Sequence, residues 1–249
     1  MKRLIDTLKN IWKIKELRDR ILFTLGLIWV FRLGSYIVLP GADPEKIQAT
    51  FADGGGNDLL GLINVFSGGA FGNASILALG IMPYITASII IQLLGFAVPY
   101  FQRLQQKEGE SGRKKLNQIT RLLTVAITMV QGGAYLTYVK SLGAVDNSIP
   151  EGIFWLAGII ILSTGTVFAM WLGERITDRG IGNGVSLLIT VGIIATLPQA
   201  FVFELQARFD SGGILVFVLE IAALFLVTMA MVLIVTGVRK IPVQLLSVP

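Results

Sequence analysis

The chain has 249 residues, a formal charge of +5, 53% hydrophobic and 15% charged residues and a mean hydropathy of +0.72. That balance excludes an ordinary soluble domain and indicates an all-α polytopic membrane protein. With no cysteine and no histidine, the chain lacks disulfides, thiolate or imidazole metal sites and the usual proton shuttle, so neither a metal nor a cofactor is expected.

Residues 1–20 carry seven Lys or Arg against three acidic residues, with Leu4, Ile5, Leu8, Ile11 and Trp12 at helical spacing. A basic amphipathic helix on the inner membrane surface is expected. The alternative is the basic region of a secretory signal, but the apolar run at 21–39 is long for a signal core and lacks a small-residue cleavage site. Residues 21–39 are therefore read as a retained first span. Arg32 lies roughly 17 Å along it at ~1.5 Å per residue, where a lipid-facing charge is costly. It either snorkels to the outer interface or faces the bundle interior. Residues 41–61 hold Asp43, Glu45, Asp53 and Asp58 against Lys46 alone and read as an acidic, flexible outer loop.

Residues 64–99 read NVFSGGAFGNASILALGIMPYITASIIIQLLGFAVP. The run 74–98 contains no charge and exceeds the ~20 residues a spanning helix needs, so it is expected as span 2, with a bend at Gly80 and Pro83. The piece before it, 62–73, is too short to cross, and Gly68, Gly69 and Gly72 interrupt it. A re-entrant half-helix is expected there, because irregular backbone at membrane depth is tolerated only beside protein or a water-filled cavity; a glycine-rich outer loop is the alternative.

Residues 99–118 carry Arg103, Lys107, Arg113, Lys114 and Lys115 and form an inner loop by charge. Span 3 is expected at 119–139, an outer loop at 140–152, span 4 at 153–173, an inner turn at 174–183, span 5 at 185–203 and span 6 at 214–236, with Glu220 the one ionisable group in the last. The basic residues assigned to the outside are only Lys46, Lys140 and Arg208, so six spans with both termini inside satisfy the positive-inside rule. GESGRKK at 109–115 lacks phosphate-loop spacing, and no strand precedes the glycines at 180, 182 and 184; both strings read as tight exposed loops.

The strings SILALGIMPYITASIIIQLL (75–94), EGESGRKK (108–115), WLGERITDRGIGNGVSLLI (171–189) and GVRKIPVQ (237–244) resemble the bacterial SecY family, central subunit of the protein-translocating channel. The resemblance implies an N-terminal helix at 1–20, a five-helix half at 21–203 and a sixth span opening into a cytoplasmic loop at 204–249. It also implies an inner-membrane channel subunit without enzymatic activity. Residues 62–73, and within them Phe66, Ser67, Gly68, Gly69, Ala70, Phe71, Gly72 and Asn73, match the plug that seals the closed pore. Ile81, Ile85 and Ile189 match the apolar pore ring. Thr86, Ser88, Gln92 and Gln131 match the polar side of the lateral gate. Arg239 and Lys240 match residues that meet the ribosome or the SecA motor.

Further partners implied are SecE-like and SecG-like subunits, an insertion factor, signal sequences, nascent polypeptides and the phospholipid bilayer. The family has ten spans in two halves, whereas this sequence carries the first half and one more span, then ends in LLSVP after Gln244. With the other wall absent, the broken backbone of the plug is expected to lack internal partners. A transporter reusing a helical repeat with a broken helix is the other function class. It would normally place ionisable groups at the break, where this chain has glycine, methionine, proline and isoleucine. A membrane enzyme is disfavoured because no nucleophile–base pair or metal cluster can be assembled.

Overall fold

A computed structural model describes residues 13–52, 59–106, 109–146, 148–210 and 213–237. Its helices are α1 (Lys15–Gly34), α2 (Pro44–Ala52), α3 (Leu59–Phe66), α4 (Met82–Ala97), α5 (Pro99–Gln106), α6 (Gly109–Ser141), α7 (Glu151–Arg179), α8 (Gly184–Asp210) and α9 (Ile214–Thr236). Residues 1–12 of the expected amphipathic helix, and the 238–249 tail with Arg239 and Lys240, lie outside the described residues.

Two compact units divide the chain at Thr196. In the first, α6 packs along α4 and α7, and α1 packs against α7. A column at four-residue spacing on α6, Gly112, Leu116, Thr120, Thr124, Thr128 and Gly132, is buried. Each of the three threonine hydroxyls returns its hydrogen bond to the carbonyl four residues back, so the polar atoms are satisfied within the helix. In the second unit, Phe201 meets Phe217 edge-on, and Arg208 pairs with Glu204 and with Glu220, each at 2.7 Å.

By length and composition, α6 to α9 can each cross a membrane, and α4 with α5 makes a fifth span if that bent pair counts as one. Six had been expected, and the difference lies at the first span. Helix α1 opens with the charged run KELRDR and stops at Gly34 instead of continuing to residue 39. Beyond Gly34 the chain extends and pairs with the segment before α4: the Leu39 amide donates to the Ala74 carbonyl at 2.7 Å and the Ile76 amide to the Ile37 carbonyl at 2.8 Å. Long-range pairing thus replaces the last turn of the expected helix.

Span 2 differs in the same region. Helix α4 begins at Met82, so residues 74–81 are turns rather than helix. Pro83 falls in the first turn, where its missing N–H costs nothing, and the expected bend inside the span becomes the start of the helix. The sharp break comes later, a 101° bend between α4 and α5 across Val98, which is extended because it precedes Pro99.

Two expected loops are helical. The outer loop contains α2, whose side chain Ile47 is fully buried and whose first turn is tied by the Glu45 amide donating to Asp43 Oδ1 at 3.1 Å. GESGRKK forms the first turns of α6, not a loop; Gly112 and Leu116 are buried there, and Glu110 pairs with Lys114 at 3.0 Å.

Polar contacts tie the helix ends to one another. Arg121 holds Glu174 with two hydrogen bonds, at 3.1 and 2.7 Å, which joins α6 to the end of α7. At the other end, Lys46 donates to the Gly143 carbonyl at 3.0 Å, the Asp43 amide to Ala144 at 2.9 Å, and Lys140 pairs with Glu151.

Candidate functional site

The segment from Ser67 to Ile81 is built of turns and is mostly buried, although it follows an eight-residue helix, α3, and precedes α4. Glycines permit the path: Gly68, Gly69 and Gly80 have φ of +68°, +86° and +53°, a region where a Cβ is strained. Local bonds then close the turns. Asn64 accepts the Gly69 amide on its carbonyl and the Gly72 amide on Oδ1, both at 2.8 Å, while Ser67 Oγ donates to the Asn64 carbonyl and accepts the Phe71 amide.

Three side chains and one close backbone approach, each from a different helix, hold the segment. From α1, Arg32 Nη1 donates to the Gly68 carbonyl at 2.7 Å. From α6, the buried Tyr135 hydroxyl donates to the Phe71 carbonyl at 2.9 Å. From α2, Gln48 Nε2 donates to Asn73 Oδ1 at 2.9 Å. From α8, Gly192 approaches so closely that a Cβ on it would sit 3.2 Å from the Phe66 carbonyl oxygen and 3.3 Å from the Gly68 nitrogen. The broken backbone therefore finds partners within this chain, contrary to the expectation that they would be missing. Of the two places open to Arg32, the structure takes the bundle interior.

Phe71 is the hydrophobic anchor, with 5% exposure. Its ring lies 4.8 Å from that of Tyr135, 5.8 Å from Tyr138 and 6.1 Å from Phe51, and it belongs to a cluster with Leu39, Ile47, Leu136 and Leu162. Of the other expected plug residues, Ser67, Gly68, Ala70 and Gly72 are buried, Gly69 and Asn73 are half-buried, and Phe66 is exposed at the end of α3.

Ile81, Ile85 and Ile189 come together in a second apolar cluster, around Phe31, Leu77, Leu172, Ile176 and Leu188. Ile81 is buried at the N-cap of α4, Ile85 follows one turn on, and Ile189 enters from α8. Val185 belongs to the same cluster, one helical turn before Ile189; the sequence reading missed it, although four-residue spacing from Ile189 would have found it. The start of α8 is fastened by the Gly184 amide donating to Thr177 Oγ1 at 2.8 Å and the Ser186 amide to Asn183 Oδ1 at 3.2 Å, while the Ile181 amide donates to Thr24 Oγ1 at 3.1 Å. The TDRGIGNG turn thus aims α8 at the cluster.

The four polar residues expected at a lateral gate each have a local partner or setting. Ser88 Oγ accepts from Gln92 Nε2 at 3.2 Å, and Thr86 Oγ1 donates back to the Met82 carbonyl at 3.1 Å. Gln131 lines a cavity of about 260 Å³ with Leu60, Phe71, Met82, Tyr135 and Tyr138. Among the described residues, no group of three or more His, Cys, Asp or Glu is placed to hold a metal ion.

Residues 75–247 match the family described as SecY. The chain is 41% identical to the protein translocase subunit SecY of Staphylococcus carnosus, over 97% of this chain and 57% of that one, and 42% identical to that of Escherichia coli, over 92% and 52%. It spans about half the length of these curated relatives. Among solved structures, Sec61 in the canine ribosome–channel complex from the endoplasmic reticulum resembles it with a TM-score of 0.55 at 19% identity, covering 78% of this chain and 42% of that one. A structure titled as that of a protein conducting channel gives the same score and covers 41% of its chain; both likenesses concern the fold. A multi-pass all-helical chain, matched by the family model over residues 75–247 and 41–42% identical to these translocase subunits along nearly its whole length, belongs to the SecY family.

Proposed function

We propose that this chain is the N-terminal part of a protein-conducting channel subunit, which moves unfolded secretory proteins across the cytoplasmic membrane and membrane proteins into it, without catalysing a reaction of its own. The observation that carries the reading is the packing of the 67–81 turn beside the cluster holding Ile81, Ile85 and Ile189. An apolar constriction opposes ion flow by dewetting and offers a passing chain no charged or strongly polar site to bind. A turn with its own hydrogen bonds provides a removable cover. Residues 66–73 act as the plug and the three isoleucines, with Val185, as one wall of the constriction; the remaining wall comes from a second half of the channel.

Thr86, Ser88, Gln92 and Gln131 are proposed to face the lateral gate. Arg239 and Lys240 are proposed to meet the ribosome or SecA, where basic side chains suit RNA phosphate and binding weakens with salt. The similarity to a protein translocase subunit and to a channel solved in a ribosome–channel complex supports these partners. SecE-like and SecG-like subunits, an insertion factor, signal sequences and the bilayer complete the set. Both termini are placed in the cytoplasm on the distribution of Lys and Arg. A cysteine replacing Lys114 should resist an impermeant reagent applied from outside, and its reaction would overturn this topology.

The reading is tested in planar bilayers with the full-length channel. Ile85→Asn and deletion of 62–73 should each raise ion conductance several-fold, because one wets the constriction and the other removes its cover. Unchanged conductance in both would refute it.

A further inference from the structure

Arg32 is the basic residue of α1 set beyond its apolar run. Among the described residues no carboxylate lies within ion-pairing distance of it. Its guanidinium is spent on the re-entrant turn: Nη1 donates to the Gly68 carbonyl at 2.7 Å, while Nη2 reaches the Tyr36 hydroxyl at 3.4 Å and the guanidinium carbon lies 5.6 Å from that ring's centre. Gly68 is wedged on its other side by α8. A Cβ at position 68 would lie 2.6 Å from Arg32 Nη1 and 2.8 Å from the Gly192 Cα, and its φ of +68° already favours glycine. One backbone carbonyl is thus clamped between a half-buried cation and a helix backbone.

We propose that Arg32 is the latch of the re-entrant turn and couples its release to wetting. A half-buried guanidinium is costly to desolvate unless a polar partner or water reaches it. With the turn seated, the Gly68 carbonyl is that partner. When the turn leaves, the same guanidinium has to be hydrated, so the released state is stable only if water enters with the release. Arg32 therefore favours the seated turn and disfavours a dry, unseated one, and no neutral side chain can do both. The latch is read from the geometry; its effect on ion flow rests on the channel function proposed above.

The test uses the full-length protein in vesicles, with any cysteine outside these 249 residues replaced, and an Ala70→Cys probe, since Ala70 is fully buried in the turn and its side chain makes no hydrogen bond. Loss of a hydrogen bond from a charged donor corresponds to roughly a ten- to hundredfold shift in the seated population. Arg32→Met should accelerate maleimide labelling of the probe about tenfold or more. Arg32→Lys, which keeps the charge and therefore membrane insertion, should give a smaller rise of about threefold, since a flexible ammonium lacks the guanidinium's fixed fork. Labelling within twofold of the parent in both variants overturns the latch, and Arg32→Lys alone decides if Arg32→Met fails to insert.

Conductance is measured alongside, without the probe. Arg32→Met should raise leak in the intact channel and add nothing in a channel lacking 62–73, because the latch acts only through the turn. A further rise in the deleted background overturns it. If labelling accelerates while neither Arg32→Met nor the deletion alters conductance, the latch stands and the channel reading fails. If the deletion raises conductance while labelling is unchanged, the channel reading stands and the latch fails.

Discussion

Tyr135→Phe removes a single atom from the support of the re-entrant turn, and the structure sets how much that should cost. The hydroxyl donates to the Phe71 carbonyl at 2.9 Å from a side chain only 3% exposed. Stranding a buried acceptor costs about 1–3 kcal/mol. The Phe71 carbonyl has a second, longer donor, the Ala74 amide at 3.3 Å, so it is not wholly orphaned. The loss should therefore fall near ~1 kcal/mol, a roughly fivefold rise in the unseated turn. The phenyl ring stays in place, and with it the edge-on contact at 4.8 Å.

Phe71→Ala provides the comparison. It deletes a ring 5% exposed that touches three aromatic neighbours, and truncations of this kind cost about 3–5 kcal/mol. Amide hydrogen exchange across residues 67–81, followed by mass spectrometry, reads both on one scale. Exchange should accelerate about fivefold for Tyr135→Phe and by more than a hundredfold for Phe71→Ala. The reasoning is refuted if Tyr135→Phe matches or exceeds Phe71→Ala, because the turn would then hang on its hydrogen bond and not on its anchor.

Gly165→Ala should sharply reduce the yield of folded protein, since a Cβ there runs into the Ile76 carbonyl of the pairing segment, and Gly133→Ala, with ordinary contacts only, should be tolerated; equal yields in detergent would contradict this. Arg121→Ala and Glu174→Ala should each cost about 1 kcal/mol in denaturant unfolding, the pair being partly exposed, and a double-mutant cycle returning no coupling would remove the ion pair from the account. The Asp146 carboxyl is held below the usual carboxylate range, chiefly by the Ser148 backbone N–H and then by its side chain. A depressed pKa contributes stability that is present above the ordinary carboxylate pKa and disappears as pH falls through the lowered value. Protection of the Ser148 amide should thus fall only in acid and lose that dependence in Asp146→Asn; a transition near neutral pH would show that another group controls it.

Much of the architecture was readable because hydrophobic runs and charge bias are local properties. Span 6 was expected at 214–236, and α9 occupies those residues. The glycine-broken piece before span 2 was recognised because Gly68, Gly69 and Gly72 cannot sustain a helix at low cost. The boundaries misread were those set by partners distant in sequence. GESGRKK looked like a loop because its residues are polar, but Gly112 and Leu116 have a helical face to bury. Residues 74–81 looked helical because they are apolar, yet their amides and carbonyls pair with residues 37–39.

The sequence by itself determined that the chain is a multi-pass helical membrane protein of the SecY family, because composition, run length and motif order need no knowledge of packing. Only the tertiary structure decided where Arg32 points, that Tyr135 and Gly192 support the turn, and that Val185 joins Ile81, Ile85 and Ile189. Arg32 and Gly68 stand 36 residues apart, and no local pattern links them. A half-buried cation and a broken stretch of backbone each have an unmet polar requirement, and each can satisfy it only with a group that folding brings within reach.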